Sequence, residues 1–424
     1  MVRSLTEARA EDRQPIAAAG RDTAAAVRDF YERYPYPRPV DTLENYRQRW
    51  RDQNRRRADF HLFWPHRSYS EERTILVAGC GTSQAAKYAL RWPEARVVGI
   101  DFSATSVQHT EALKAKYCLE RLETHRLPIE QAGALETTFD EIVCTGVLHH
   151  LPDPDAALRV LRDVLAPDGA MHLMVYAPYG RTGVYMIQEF CRRVGIRATD
   201  GEIGDLVVAL GALPAAHPLA RLFREAPDFF QEAALADALL NPQDRAYSVP
   251  QLFDFISRAG LTFSRWLRQA PYSPRCGVMA RLPHASRIAA LEPAQQYAVA
   301  ELFRGTMMSH SVIVRCDDRA GSQGIGFSED AWPDIVPIRV PDTLRVQERL
   351  PPGAAAVLIN RAHTDTDIYM PIDGREKRLV DAIDGERSIR EIAGGKPEAC
   401  RSLFERLCWH DQVVFDGSRG RQPG

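Results

Sequence analysis

The chain has 424 residues, more than one hydrophobic core usually serves, so two domains or one domain with large insertions are expected. Its 54 Lys and Arg against 56 Asp and Glu leave no field of one sign that would gather nucleic acid or a membrane surface, and small molecules or proteins are the expected partners. The eight cysteines are scattered without a Cys-x-x-Cys pair, and no run approaches the ~18 apolar residues that crossing a bilayer needs. These features predict a cytoplasmic protein with reduced thiols and no metal site.

Residues 1–22 are charged and Ala-rich and read as a disordered lead-in rather than a signal peptide or anchor. Residues 23–72 read as a helical N-terminal cover, because Val27, Phe30, Tyr31 and Tyr34 recur at helical spacing until Pro35 ends the run. Within it, the Arg-rich stretch 45–57 reads as a solvated helix. From 73 to 282 strand and helix signals alternate, predicting a doubly wound α/β sheet. The strand runs are Ile75–Ala78, Val97–Ile100, Phe139–Cys144 and Met171–Tyr176, with a helical stripe of Ala157, Leu158, Leu161, Val164 and Leu165 before the last.

Residues 180–245 interrupt that order with helical sequence, an insertion suited to walling a substrate site or to capping the fold. Ser248 and Gln251 read as a capping box opening a helix that Gly260 stops, and strands at Leu261–Leu267 and Gly277–Arg281 are expected to close the sheet. Residues 283–341 read as a connecting region with a helix at Pro293–Arg304 and a strand at Ser311–Val314. Residues 342–416 read as a small α+β unit: a strand at Ala355–Ile359, three helices and an edge strand at Gln412–Phe415, the order of a winged helix, with residues 417–424 as a tail.

The sharpest chemical signal is the strand that breaks into Gly79-Cys80-Gly81 before a helix, with Asp101 ending the next strand. Two residues without a Cβ let the backbone turn sharply and lie against a ligand, and a carboxylate at the neighbouring strand end can accept both hydroxyls of a ribose. A nucleoside at the carboxyl edge of the sheet is the reading. A dinucleotide fingerprint wants a glycine where this chain has Gln84, which disfavours a nicotinamide-dependent oxidoreductase, kept as the alternative.

Beyond the loop, Phe139-Asp140-Glu141-Ile142-Val143-Cys144-Thr145-Gly146-Val147-Leu148-His149-His150-Leu151-Pro152-Asp153-Pro154 and Val164-Leu165-Ala166-Pro167-Asp168-Gly169 follow in order. This ordered set resembles the class I S-adenosylmethionine-dependent methyltransferases. The resemblance implies a Rossmann-like methyltransferase sheet with S-adenosylmethionine as donor. It implies that Ala78, Gly79, Cys80 and Gly81 cradle the methionine end, and that Asp101 holds the ribose beside Phe102. Leu127 would lie near the adenine, and Cys144, Thr145 and Gly146 would line the wall beside the sulfonium. The chain departs from the family pattern at Ser83, where many members have a third glycine, and before Leu127, where their usual aspartate is missing. The run from Asp29 to Pro37 is similar to an entry segment that lies over the donor site in some members, which makes Tyr31 and Tyr34 candidate aromatic walls.

Methyl transfer from a sulfonium mainly requires alignment and the exclusion of water, with a base only if the acceptor arrives protonated. His150 and His149 are the candidate bases, since imidazole titrates near neutrality. Tyr176, Tyr179 and Tyr185 are candidate acceptor contacts. The 342–416 unit resembles, weakly, winged-helix domains that bind leader peptides, on Arg378–Gly385, Ser388–Ile392 and Leu403-Phe404, a likeness shared by many winged helices; an inert or dimerising module is the first reading, a peptide partner the next and DNA binding the last. A non-catalytic protein that senses the donor and recruits a peptide is the remaining reading.

Overall fold

The computed structural model describes residues 27–35, 37–220, 231–316, 325–327 and 330–420, so the lead-in expected over 1–22 and the last four residues of the 417–424 tail lie outside the described residues. At its centre is a seven-stranded sheet in the order β3-β2-β1-β4-β5-β7-β6. The strands are β1 (Thr74–Ala78), β2 (Arg96–Asp101), β3 (Leu122–Arg126), β4 (Phe139–Thr145), β5 (Leu165–Tyr176), β6 (Leu261–Trp266) and β7 (Ser309–Cys316). The first five pair in parallel, while β7 runs antiparallel between β5 and β6. The strand order reverses between β1 and β4, and ligands of such sheets bind at that switch point, beyond the carboxyl ends of the strands.

Parallel strands buried on both faces read as continuous apolar runs, and their side chains alternate between two cores. Leu76 and Ala78 of β1 join Ile142, Cys144 and Leu173 on one face. Ile75 and Val77 join Val143, Ile313, Phe60 and Trp92 on the other. The first face is covered by α6 (Pro154–Asp163) and α10 (Val249–Arg258), the latter opened by the expected Ser248–Gln251 capping box. The second is covered by α3 (Gln53–Phe63) and α4 (Gln84–Arg91). The cover begins with α1 (27–33), which ends before Pro35. The insertion contributes α7 (Thr182–Val194), α8 (Asp200–Gly211) and α9 (Glu232–Leu240).

Three expectations needed correction. The strand expected at Gly277–Arg281 is instead a loop ending in a short 3₁₀ turn, Met279–Arg281; Gly277 sits at φ +61° and Val278 N–H donates to Asp367 at 2.7 Å. The sheet is closed by β7, which lies within the segment expected to be a connector, so the sheet runs past residue 282 to Cys316. The Arg-rich run is not one solvated helix: α2 (Glu44–Trp50) stops, and Asp52 caps a separate α3. Its arginines dock other segments, Arg56 on Glu71 at 2.8 Å, Arg55 on Asp342 at 3.0 Å and Arg57 on Asp416 at 3.7 Å.

The C-terminal part has a three-stranded antiparallel sheet, β9 (Thr343–Val346), β10 (Ala356–Asn360) and β11 (Met370–Ile372), followed by helices Gly374–Asp381, Ile389–Ile392 and Arg401–Trp409. Its last strand, β12 (Val413–Asp416), pairs with β8 (Val336–Arg339) rather than with that sheet, and its core takes in Trp332 and Ile335, so the unit also uses residues before 342. All eight cysteines are unpaired. Among the described residues no helix is long and apolar enough to cross a membrane.

Asp411 joins the two parts: its carboxylate accepts from Ala270 N–H at 2.8 Å and lies 3.7 Å from Arg265. Burial pushes its carboxyl up to about 6. An acid whose folded pKa is raised binds protons more readily folded than unfolded, so stability is gained as pH falls through about 6 towards the unfolded value. Asp411→Asn keeps an acceptor and tolerates the residue's φ of +52°. Relative to wild type, the variant is expected to be favoured at pH 8 by about 1.4 kcal/mol more than at pH 5, read from melting temperatures at the two pH values. A difference independent of pH would contradict this assignment.

Candidate functional site

A cavity of about 630 Å³ opens at the carboxyl edge between β1 and β4 and runs inward between α4 and the sheet. Its floor is the turn after β1. Gly79 and Gly81 hold φ of +70° and +53°, and a Cβ on Gly79 would stand 2.4 Å from Val147 Cγ2, so the bend and the close approach both require glycine. Gly79 and Cys80 N–H donate to Ile100 O at 2.9 Å, tying the turn to the end of β2.

Asp101 completes that tie. Its carboxylate accepts from Gly81 N–H at 2.8 Å and Ser103 N–H at 2.9 Å, so one side chain fixes two loops. Burial raises its pKa against the pull of those donors. Each carboxylate oxygen has a second lone pair, which leaves acceptor capacity on the cavity side for a diol. Phe102 lines the same wall, its ring 6.1 Å from Tyr31 in an edge-to-face pair.

The N-terminal cover is anchored to this site. Glu32 accepts from Ala104 N–H and from the Thr105 hydroxyl at the start of α5 (Ala104–Tyr117), and Thr82 Oγ1 donates to Pro37 O at 2.8 Å. Tyr31 O–H donates to Asp237 of the insertion at 2.7 Å, and Tyr176 O–H reaches the other oxygen of Asp237 at 3.3 Å. Asp237 is 2% exposed, and its position makes cover, insertion and sheet edge one rim.

The two histidines are placed differently. His150 lines the cavity, and its Nδ1 lies 2.7 Å from Gln243 O; a carbonyl only accepts, so Nδ1 carries the proton and Nε2 is the acceptor. His149 is buried away from the cavity lining, with no hydrogen-bond partner for either ring nitrogen among the described residues; its ring centroid is 3.9 Å from that of Tyr176 at a 38° tilt, and burial holds its pKa well below the ordinary imidazole value. It is a packed neutral ring.

Of the other anticipated residues, Gly79, Cys80, Gly81, Asp101, Phe102, Thr145, Gly146, Tyr31 and Tyr176 line the cavity. Ala78 and Cys144 point into the opposite core. Leu127 lies in a separate recess beside β3, with its N–H on Asp101 O. Tyr34 packs on Phe30 and bonds Asp200, Tyr179 is exposed, and Tyr185 accepts from Arg181, all away from the lining. Sequence reasoning missed Gln84, Lys87, Arg91, His172 and Asp237. The spacing of Gln84, Lys87 and Arg91 on one helical face was the signal available for three of them. Gln84, where a dinucleotide site would want glycine, donates from Nε2 to Thr145 Oγ1 at 2.7 Å and closes the space behind the turn.

Residues 76–171 match the family model described as "Methyltransferase domain". The chain is 33% identical over 262 residues to an uncharacterised Synechococcus protein, covering 58% of this chain and 61% of that one. It is 32% identical over 120 residues to a trans-aconitate 2-methyltransferase of Deinococcus radiodurans, covering 28% of this chain and 43% of that protein. With a tRNA U34 carboxymethyltransferase of Shewanella amazonensis it shares 39% identity over 111 residues, covering 26% and 33%. The chain thus spans under two thirds of these relatives. Its fold is similar to the solved structure of PKMT2 from Rickettsia typhi, TM-score 0.61 at 15% identity, covering 86% of this chain and 75% of that one. The match over the first half of the sheet and the 3-2-1-4-5-7-6 strand order agree: the chain carries a class I S-adenosylmethionine-dependent methyltransferase domain.

Proposed function

We propose that the chain transfers a methyl group from S-adenosylmethionine to a small-molecule acceptor taken into the cavity beneath α1 and the 180–245 insertion. The observation that carries this reading is the Asp101 carboxylate, which holds the Gly81 and Ser103 loops and still presents acceptor capacity to the cavity. A small acceptor fits the rim, because Tyr31, Asp237 and Tyr176 are joined by hydrogen bonds across the entrance. Among the curated relatives, one is named for methylating trans-aconitate, a small molecule.

When bound, S-adenosylmethionine supplies a methyl carbon made electrophilic by its sulfonium. Gly79 and Gly81 admit its amino-acid end close to the backbone, Asp101 accepts from the ribose hydroxyls, and Phe102 offers an apolar wall. Thr145, Gly146 and Val147 form the wall after β4, and Gly146, at φ +80°, turns the chain there. His150 Nε2 accepts the proton that a hydroxyl or amine acceptor must lose, while the Gln243 carbonyl keeps the ring in the required tautomer.

The test is incubation with labelled donor and a whole cell extract, from which the low-molecular-weight fraction is then separated. Label in that fraction supports the reading, and label confined to protein or tRNA contradicts the acceptor class. With the acceptor found, His150→Gln is expected to lower kcat by about 10²-fold and leave donor affinity unchanged. An unaltered kcat would leave His150 as a wall.

A further inference from the structure

The inner arm of the cavity, beyond Gln84, has no part in the chemistry above, yet it holds a charge with no ion-pair partner among the described residues. Lys87 lies three residues past Gln84 on the same face of α4, about 4.5 Å further from the sheet edge. Arg91 also reaches the arm, but its charge is paired: Nε donates to Tyr46 Oη at 2.9 Å, Nη1 donates to Asp59 at 3.2 Å, and the guanidinium lies 3.9 Å over Trp50. Asp59, the acid lining this arm, is thereby used. Lys87 is half-buried, and among the described residues it has no recorded ion pair; burial alone lowers its pKa. The facing wall is uncharged: Ser311 has a hydroxyl, and burial pushes the His172 imidazole down to about 4. Two cations and one anion leave the arm with one uncompensated positive charge, and a desolvated cation without a partner is costly.

We propose that this arm is a carboxylate subsite, in which Lys87 Nζ pairs with one carboxylate of the bound ligand. A single positive charge among neutral walls suits a monoanion better than a phosphate, which recruits several cationic donors. The carboxylate belongs either to the acceptor or to the amino-acid end of the donor. The assignment rests on the methyl-transfer reading only for the identity of the donor.

Calorimetry on the full chain separates these sources, with wild type, Lys87→Met and Lys87→Arg titrated with S-adenosylhomocysteine, with 5′-methylthioadenosine, which lacks the amino-acid carboxylate, and with acetate after saturation by S-adenosylhomocysteine. If Lys87→Met weakens S-adenosylhomocysteine at least tenfold, spares 5′-methylthioadenosine and is rescued by Lys87→Arg, the carboxylate is the donor's. If it spares both nucleosides and abolishes acetate binding, the carboxylate is the acceptor's. Unchanged binding of all three ligands, or equal loss of all three, overturns the subsite. Removing an unpaired cation also predicts that ligand-free Lys87→Met melts no lower than wild type; a structural role for Lys87 would lower its melting temperature. If wild type binds no S-adenosylhomocysteine, the methyl-transfer reading fails, while a rise in melting temperature with acetate, present in wild type and absent in Lys87→Met, still reports the arm.

Discussion

Asp101→Ala is expected to weaken S-adenosylhomocysteine binding about a hundredfold or more. The carboxylate makes two charge-assisted hydrogen bonds to Gly81 and Ser103 N–H, and on the proposed reading donor binding adds those to the ribose. Hydrogen bonds to a charged group contribute about 1.5–3 kcal/mol each, so losing the ribose pair alone removes on the order of 3 kcal/mol. The Gly81 loop also loses its tether. Asp101→Asn offers one acceptor oxygen and should fall between wild type and Ala. Calorimetry reads the three affinities, and equal affinity for wild type and Ala would remove Asp101 from the donor site.

Gly79→Val is expected to abolish detectable donor binding and to cost on the order of 2–4 kcal/mol of stability, seen as a shifted denaturation midpoint. Two independent costs combine. A φ of +70° is unfavourable for a β-branched residue, and even the first carbon of the side chain would meet Val147 at 2.4 Å. Gly79→Ala with Val147→Ala tests the division: it relieves the contacts to the two valine methyls but leaves the strained φ, so it should recover part of the stability. Full donor affinity in Gly79→Val would mean that the turn after β1 is not the floor of the site.

What could be read from the sequence follows from where side chains face. β1, β2, β4 and β5 were legible because strands buried on both faces are apolar throughout, and the Gly79–Asp101 pair was legible because turn and carboxylate each need particular residues. β3 was not, since Leu122 is its one buried residue and Glu123, Thr124, His125 and Arg126 are polar at the sheet edge. The run inside β7 was recognisable as a strand, but its place between β5 and β6 depends on pairing across more than a hundred residues. Ala78 and Cys144 were anticipated at the site because they adjoin it in sequence; strand alternation turns them into the opposite core. Asp237 was illegible for another reason: its role exists only once the insertion folds onto Tyr31 and Tyr176.

The account depends on one cavity accepting one adenosyl ligand. Titration of the wild-type chain with S-adenosylmethionine by calorimetry addresses this directly: saturable heat for one equivalent per chain is predicted, with no heat for NADH. No heat for S-adenosylmethionine, or saturable binding of NADH in its place, would contradict it.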